Sequence, residues 1–197
     1  NPDTVWEAGS LDKLVSIASG DASIGLLSPA LVDDFDSGTA QAIVEHDLSL
    51  RATLLSMTRL RPPIRPEFAP AGIDTDVEWL HAAAALVRSD VLRSIGGWDE
   101  RFFLFAEDAD LCRRVRASGY RVVLTVAARA QHLRGASFEL SGTADDTAGL
   151  RTRALAIYLE KYQGKLARRT FGAVGTVVYG LGRRRGQARE AWRALTR

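Results

Sequence analysis

The stretch WDERFFLFAEDADLCRRVRASGYRV, residues 98–122, sets four aromatic side chains beside five carboxylates and then continues as a basic segment. Aromatic side chains favour the protein core and carboxylates favour water, so this close spacing needs a structural or a functional reason. We predict a helix that begins near Glu107 and ends at Gly119, because glycine readily adopts the left-handed conformation that terminates a helix. Several of the carboxylates then gather at the beginning of that helix.

The predicted helix has one apolar face, formed by residues spaced i, i+3, i+4 and i+7: Asp108, Leu111, Cys112 and Val115. Asp108 is the one carboxylate on that face, so it points in the same direction as the core-facing side chains. Asp110 and Arg114 lie on the outer side, where they form a favourable i,i+4 pair. An acidic residue in a first turn commonly does no more than complement the helix dipole, which is worth about 0.3–1 kcal/mol.

A functional interpretation of Asp108 is favoured by its sequence surroundings. The apolar run RFFLF, residues 101–105, and the turn Gly96–Gly97 both precede it. A partly dry environment raises the pKa of a carboxyl group and strengthens it as a proton acceptor. Asp108 is therefore a candidate general base.

The rest of the chain alternates between segments with helical spacing and short apolar segments. Helical spacing predicts helices over residues 10–19, 48–60 and 89–97. Ser10 is the predicted N-cap of the first of these helices. The short apolar segments predict two buried strands, one over 22–29 that a proline ends and one over 120–126. An edge strand is predicted over 128–135. We expect a turn over 33–39 and a proline-rich surface loop over 61–72. This alternation predicts an α/β fold, with helices packed on a sheet.

Composition limits the class of protein. The chain has 197 residues, of which 46% are hydrophobic, enough for a substantial core. Its single cysteine rules out an internal disulfide framework and fits a reducing compartment. No apolar run reaches the roughly 18–20 residues of a membrane span, and no secretory signal opens the sequence. Because the sequence starts at Asn1 without a methionine, we expect a processed or partial product.

Charge is distributed unevenly along the chain. Residues 1–150 carry 14 basic and 22 acidic side chains, whereas residues 151–197 carry 12 basic and 2 acidic ones. An acidic body with a basic tail suggests two tasks, or one task at an anionic surface. A nucleic-acid-binding arm is disfavoured, because the tail has no reader motif.

The stretch GGWDERFFLFAEDADLCRRVRASGYRVV (96–123) resembles the acceptor-side signature of inverting family 2 glycosyltransferases with the GT-A fold. It is most similar to the bacterial rhamnosyltransferase-like and galactofuranosyltransferase-like members. The likeness extends to ARAQHLRGAS (128–137) and to NPDTVWEAGSLDKLV (1–15). It implies a partial GT-A domain, Rossmann-like and α/β, over residues 1–140, followed by a basic helical tail over 141–197. The donor-binding half would lie upstream, so we expect the isolated chain to be inactive and to bind no nucleotide-sugar.

The resemblance also implies roles for individual residues. Asp108 matches the catalytic base of the family, and Glu107 matches its partner in the same motif. Asp3 matches the last carboxylate of the metal-binding Asp-x-Asp motif, which would hold Mg²⁺ or Mn²⁺ against the leaving diphosphate. The first position of that motif is Asn1 instead of aspartate, so the site has fewer charged ligands. His132 matches a further metal ligand of some members, and an ordinary hydrogen-bonded histidine is the open alternative.

Four other residues match the acceptor side of the family. Trp98 and Asp99 correspond to the turn that faces the acceptor sugar, while Trp79 and His81 correspond to the strand beneath that pocket. Packing is the alternative for all four, and it is the preferred interpretation for the alanines that follow, residues 82–85.

The resemblance implies an inverting transfer of a rhamnose-like sugar from a nucleotide-diphosphate donor to a lipid-linked or polysaccharide acceptor. The expected setting is cell-envelope glycan synthesis, in the cytoplasm at the inner face of the membrane. The alternative is a degenerate, non-catalytic protein that binds glycans or scaffolds a membrane assembly.

The basic tail has two recognisable segments. LRTRALAIYLEKYQG (150–164) has helical spacing and predicts an amphipathic helix that docks on the domain or on the membrane. TFGAVGTVVYGLG (170–182) is apolar but, at about 20 Å as a helix, too short for a hydrocarbon core of about 30 Å. The arginines on both sides suit a helix in the interface of an anionic leaflet. A packed helix pair with a solvated basic face is the alternative.

Overall fold

The computed structural model describes residues 1–36, 44–45, 48–57, 74–133, 147–181 and 185–196. The predicted loop 61–72, the end of the turn 33–39 and residues 134–137 lie outside these ranges. The chain forms two compact units. The sheet unit comprises Asn1–His46, Ile64–Trp98 and Asp108–Leu140, and the helical unit comprises Asp47–Pro63, Asp99–Glu107 and Ser141–Arg197. The predicted α/β class is confirmed; the predicted division at residue 140 stays a prediction.

The sheet unit is built on strands in the order β1-β7-β2-β6, with β4 also paired to β7. A two-stranded sheet pairs β3 with β5. The strands are β1 (Thr4–Trp6), β2 (Ile24–Val32), β3 (Val44–Glu45), β4 (Thr75–Asp76), β5 (Trp79–Leu80), β6 (Leu86–Val87) and β7 (Arg121–His132). β2 and β7 run parallel, and all nine residues of β2 are buried. A strand covered on both faces explains the continuous apolar run in its sequence.

Two strand predictions were wrong. Pro29 does not end β2, which continues to Val32; the register with β7 shifts between Pro29 and Ala30, where the missing proline N–H is tolerated. Residues 128–132 do not form an edge strand. They continue β7, whose end lies between β1 on one side and β2 on the other.

Helices α1 (Ser10–Gly20) and α3 (Ser89–Ser94) confirm the predicted segments. The predicted N-cap was wrong, because the cap is Gly9 in a left-handed conformation. Ser10 is instead the first helical residue, and its buried hydroxyl accepts a hydrogen bond from the backbone N–H of Arg129, at 3.0 Å. The serine therefore ties α1 to β7.

Helix α4 spans Glu107–Ala117, and Gly119 follows it with a φ of 89°, as predicted. Leu111, Cys112 and Val115 are fully buried. Burial raises the pKa of the Cys112 thiol to about 12, so this cysteine is a packing residue.

The predicted Asp110–Arg114 pair forms, at 2.7 Å, but its predicted solvent-facing position was wrong. Asp110 is fully buried. The Arg114 guanidinium also donates to the carbonyl oxygens of Ile95, at 3.0 Å, and Gly97, at 2.6 Å. A buried carboxylate is tolerated here because this cation and its backbone contacts cover it.

The helical unit contains α2 (Leu50–Met57), α5 (Thr147–Leu181) and α6 (Arg185–Thr196). α2 begins two residues later than the predicted helix over 48–60, whose last three residues lie outside the described ranges. A kink at Gly164, where φ is 85°, divides α5. The core of this unit is a cluster of buried apolar residues from α5 and α6, namely Ala156, Leu159, Ala167, Phe171 and Ala194.

The second part of α5 packs closely against α6. A Cβ atom added at Gly172 would lie 2.5 Å from the backbone nitrogen of Leu195 and 2.7 Å from the carbonyl oxygen of Ala191. Glycine at this position therefore permits backbone contact between the two helices. Among the described helices, none is long and apolar enough to cross a membrane.

Candidate active site

Asp108 lies at the beginning of α4, in an unusual stretch of backbone. Phe105 and Ala106, immediately before the helix, have φ values of 68° and 61°. Residues other than glycine rarely adopt this left-handed backbone conformation. The Asp108 carboxylate is only 13% exposed, and its Oδ1 accepts a hydrogen bond from the backbone N–H of Ala109, at 2.8 Å. Glu107 precedes it as the first, partly buried residue of α4.

The structure brings Asp108 together with His81. Their closest atoms, Asp108 Oδ2 and His81 Nδ1, are 3.3 Å apart, and the imidazole is 43% exposed. The Trp79 ring packs edge-on against this imidazole, with ring centroids 5.1 Å apart, and is itself buried. The pair thus has a fixed, mostly covered carboxylate and an imidazole that reaches solvent. In the tautomer with a proton on Nδ1, His81 donates to Asp108 and leaves Nε2 as an acceptor.

A second pair joins the start of β1 to the end of β7. Thr4 lies opposite His132 in the ladder, and the Leu133 N–H donates to the Asp3 carbonyl oxygen at 2.9 Å. This register sets Asp3 Oδ1 3.6 Å from His132 Nε2, with both side chains largely buried. Within the described part of the chain, Asp3 Oδ1 is buried and accepts no hydrogen bond.

The Asp3–His132 pair fits a divalent cation. The 3.6 Å separation is too long for a hydrogen bond. It is within the span of two ligands of one ion, each about 2.0–2.2 Å from the metal. No cluster of three or more acidic, histidine or cysteine ligands occurs among the described residues. Mg²⁺ usually takes one or two carboxylates and completes its shell with water and substrate phosphates, so a sparse protein site is adequate.

The segment between β5 and β6 links the two pairs. His81 at its start faces Asp108, while the Ala83 carbonyl accepts a hydrogen bond from Thr4 Oγ1 at 3.2 Å. The Ser28 hydroxyl donates to the Ala84 carbonyl at 2.9 Å. Ala83 and Ala84 are buried, so small side chains suit this segment.

Of the four residues predicted on the acceptor side, Trp98 and Asp99 have different surroundings. Trp98, in the sheet unit, is half exposed and available to a ligand. Asp99, in the helical unit, forms ion pairs with Arg101, at 2.6 Å, and with Lys161, at 2.7 Å. Hydrogen bonds from Arg101 and then from Lys161 hold the pKa of the Asp99 carboxyl well below its ordinary value. The acceptor-side roles assigned to these two residues, and to Trp79 and His81, stay predictions.

Sequence reasoning missed Arg114 as a residue that supports the site. Besides its bond to Asp110 within α4, it makes two bonds, to the Ile95 and Gly97 carbonyls, that join α4 to the Gly96–Gly97 turn, and that turn leads into Trp98. The i,i+4 spacing of Asp110 and Arg114 was visible in the sequence, but the turn carbonyls were not. Lys161 was also missed, because it contacts a residue 62 positions earlier in the chain.

A family model described as glycosyltransferase like family 2 matches residues 2–144. The chain is 30% identical, over 148 residues, to N-acetylglucosaminyl-diphospho-decaprenol L-rhamnosyltransferase of Mycobacterium tuberculosis strain H37Rv, covering 67% of this chain and 45% of that protein. It is 40% identical to rhamnosyltransferase WbbL of Escherichia coli K12 over 60 residues, and these cover 30% of this chain and 22% of that protein. O-antigen biosynthesis protein RfbC of Myxococcus xanthus is 43% identical over 61 residues, 30% of this chain and 5% of that protein. The chain thus spans less than half the length of each of these relatives.

Proposed function

The chain belongs to glycosyltransferase like family 2, and on this premise we propose that the natural protein containing it is an inverting glycosyltransferase. It would move rhamnose or a similar sugar from a nucleotide-diphosphate donor to a lipid-linked or polysaccharide acceptor, in cell-envelope glycan synthesis. The names of the relatives support this choice, since two are rhamnosyltransferases and the mycobacterial name specifies a diphospho-decaprenol substrate. The α/β fold is consistent with part of a GT-A domain.

The observation that carries the proposal is the position of Asp108. Its carboxylate is fixed at the first turn of α4 by the Ala109 N–H and lies beside an exposed imidazole. In the proposed reaction, an acceptor hydroxyl attacks the anomeric carbon and gives its proton to Asp108. A new carbon–oxygen bond forms as the bond to the diphosphate oxygen breaks, and the electron pair leaves with the nucleoside diphosphate. His81 orients the carboxylate, and Glu107 supports it from the same turn.

Asp3 and His132 are the residues that would hold a Mg²⁺ or Mn²⁺ ion. Such an ion, when bound, neutralises charge on the diphosphate leaving group. The buried Asp3 Oδ1 is a suitable ligand because it accepts no hydrogen bond in the described part of the chain. The β1–β7 ladder fixes both ligands on neighbouring backbone positions.

The decisive experiment replaces Asp108 with asparagine in the natural protein and measures transfer from nucleotide-sugars. Removing a general base should lower turnover by about 10²–10⁴ and leave the fold intact. Asp90→Asn is the matched control, because Asp90 is the second residue of α3 as Asp108 is of α4, and it is exposed. Glu107→Gln should cost less than Asp108→Asn.

Equal turnover of Asp108→Asn and wild type would refute the assignment of the base. Absence of transfer by the wild type, together with retained glycan binding, would favour the non-catalytic alternative.

We also propose that the helical unit contacts an anionic membrane surface, at the cytoplasmic face where a lipid-linked acceptor would be reached. In support, Leu166, Val177 and Leu181 are exposed and, at i, i+11 and i+15, lie on one face of α5. Basic residues such as Arg169 neighbour that face and would add about 1 kcal/mol each near anionic lipid. This arrangement is compatible with the packed helix pair, because the buried face of α5 meets α6.

Co-sedimentation with anionic vesicles tests this surface. The wild-type chain should pellet at low salt and less so at high salt, and the double variant Leu166→Ser, Leu181→Ser should remain in solution. Leu11→Ser, an exposed leucine of α1, is the matched control and should pellet like the wild type. If the wild type itself stays in the supernatant, the helices are not a membrane anchor.

A further inference from the structure

The segment Asp99–Glu107, which runs from the residue after Trp98 to the first residue of α4, is called here the aromatic loop. It belongs to the helical unit, although it runs directly into the helix that carries Asp108. Its aromatic side chains differ sharply in exposure, since Phe102 is buried and Phe103 is 87% exposed. The loop therefore has one side that is packed and another that is presented to solvent.

The packed side of the aromatic loop is held by α5. Lys161 Nζ donates to Asp99 Oδ2 at 2.7 Å, and both side chains are more than four-fifths buried. The Arg101 guanidinium donates to the same carboxylate, from Nε to Oδ1 at 2.9 Å and from Nη2 to Oδ2 at 2.6 Å. The Arg101 backbone N–H adds a further bond to Oδ1 at 3.1 Å. A carboxylate has about four acceptor positions, and these donors fill them.

Two cations of α5 also lie over aromatic rings of the loop. Lys161 Nζ is 5.7 Å from the centroid of the Phe102 ring. The guanidinium of Arg151 is 4.6 Å from the centroid of the Phe105 ring. Phe105 is one of the two residues with a left-handed backbone before α4, a conformation that persists only where surrounding contacts hold it. The contacts from α5 supply such a restraint at both ends of the loop.

We propose that Lys161 is a positioning residue of the transferase, which fixes the aromatic loop in the single conformation that receives the acceptor. Asp99 then serves as the attachment point of the loop, and the exposed Phe103 and its neighbours form the surface offered to the acceptor. The part of this inference that concerns the acceptor rests on the proposed function; the attachment itself does not.

Hydrogen exchange tests the attachment without any activity measurement. The backbone amides of Arg101 and Phe102 are hydrogen-bonded within the loop, so their exchange reports on its conformation. In Lys161→Met, which keeps an unbranched side chain one atom shorter and removes its charge, these amides should exchange at least about tenfold faster. Lys165→Met is the matched control: it removes the same charge from an exposed position on α5 and should leave the loop unchanged.

Unchanged exchange in Lys161→Met, or an equal increase in Lys165→Met, would overturn the proposal. Should Lys161→Met fail to fold, as judged by circular dichroism, Asp99→Asn removes the same ion pair from the other partner and is measured in its place.

Kinetics of the natural protein then test the positioning role. Lys161→Met should raise the acceptor KM about tenfold, because only a fraction of molecules hold the competent loop, while the donor KM changes less than about twofold. Lys161→Arg should restore most of the acceptor affinity, since it returns the charge. An unchanged acceptor KM in an active enzyme with a loosened loop would refute positioning. A wild type with no transferase activity would refute the proposed function, and the exchange rates would still decide whether Lys161 holds the loop.

Discussion

Replacement of Gly172 by alanine should open the contact between α5 and α6. The added methyl would lie 2.5 Å from the Leu195 nitrogen and 2.7 Å from the Ala191 oxygen, and both are backbone atoms that cannot rotate away. Because non-bonded carbon contacts normally lie at about 3.5–4.0 Å, the helices would have to separate by roughly 1 Å. Overpacking of this kind costs about 1–3 kcal/mol.

Gly180→Ala provides the reference for this measurement, because a methyl there meets nothing within 4 Å. Both substitutions gain up to about 1 kcal/mol of helix propensity, so that gain largely cancels between them. The remaining difference in the free energy of unfolding should be about 2 kcal/mol, or roughly 4–8 °C in the melting temperature. Thermal and urea unfolding followed by circular dichroism measure it. If Gly172→Ala is as stable as Gly180→Ala, the helices do not approach as closely as described.

Three further outcomes are expected. EDTA should abolish transfer by the natural protein, and Mn²⁺ or Mg²⁺ should restore it. Asp3→Ala should weaken this metal dependence more than His132→Ala does. Calorimetric titration with Mn²⁺ measures the binding of the ion directly. Asp110→Ala should destabilise the protein by about 3 kcal/mol by leaving its guanidinium partner without a counter-charge, whereas Asp90→Ala, at an exposed site, should change stability by less than about 0.5 kcal/mol in urea unfolding. Because the folded-state pKa of Asp99 is lowered, its stabilising contribution is present above the ordinary carboxyl pKa of about 4 and is lost as the pH falls through the lowered value. The stability difference between wild type and Asp99→Asn should thus be constant from about pH 5 to 7 and shrink below about pH 4, in denaturant titrations across that range.

Local chemistry predicted one helix of the site, and the family resemblance pointed to the residues that the structure brings together. The helix that begins at Glu107 and stops before Gly119 follows from apolar spacing and from the left-handed preference of glycine. The resemblance singled out Asp108 and His81, and the structure sets them in contact. It also singled out Asp3 and His132, which the β1–β7 ladder brings close together.

The predictions that were wrong concern residues whose environment is set by distant parts of the chain. Ser10 is a residue type typical of N-caps, yet its hydroxyl accepts a hydrogen bond from the backbone of β7. Asp110 and Arg114 have the i,i+4 spacing of a surface ion pair, yet Asp110 is buried. Arg114 also binds the carbonyl oxygens of Ile95 and Gly97. Pro29 has the character of a strand terminator, yet a register shift accommodates it. Spacing along the sequence gives no information about such partners, because each lies on another element.

The position of β7 has a consequence for how the sheet unit is assembled. β7 pairs with β1, β2 and β4, so one strand near residue 130 completes pairings that begin near residue 4. Ile24 lies opposite Arg121, which makes the central parallel pairing highly non-local. Such pairings are slow to form, since the entropy of closing the intervening chain is lost before any contact compensates for it. During synthesis, the common partner of β1, β2 and β4 is absent until β7 has been made. In this interval the apolar β2 is exposed to aggregation.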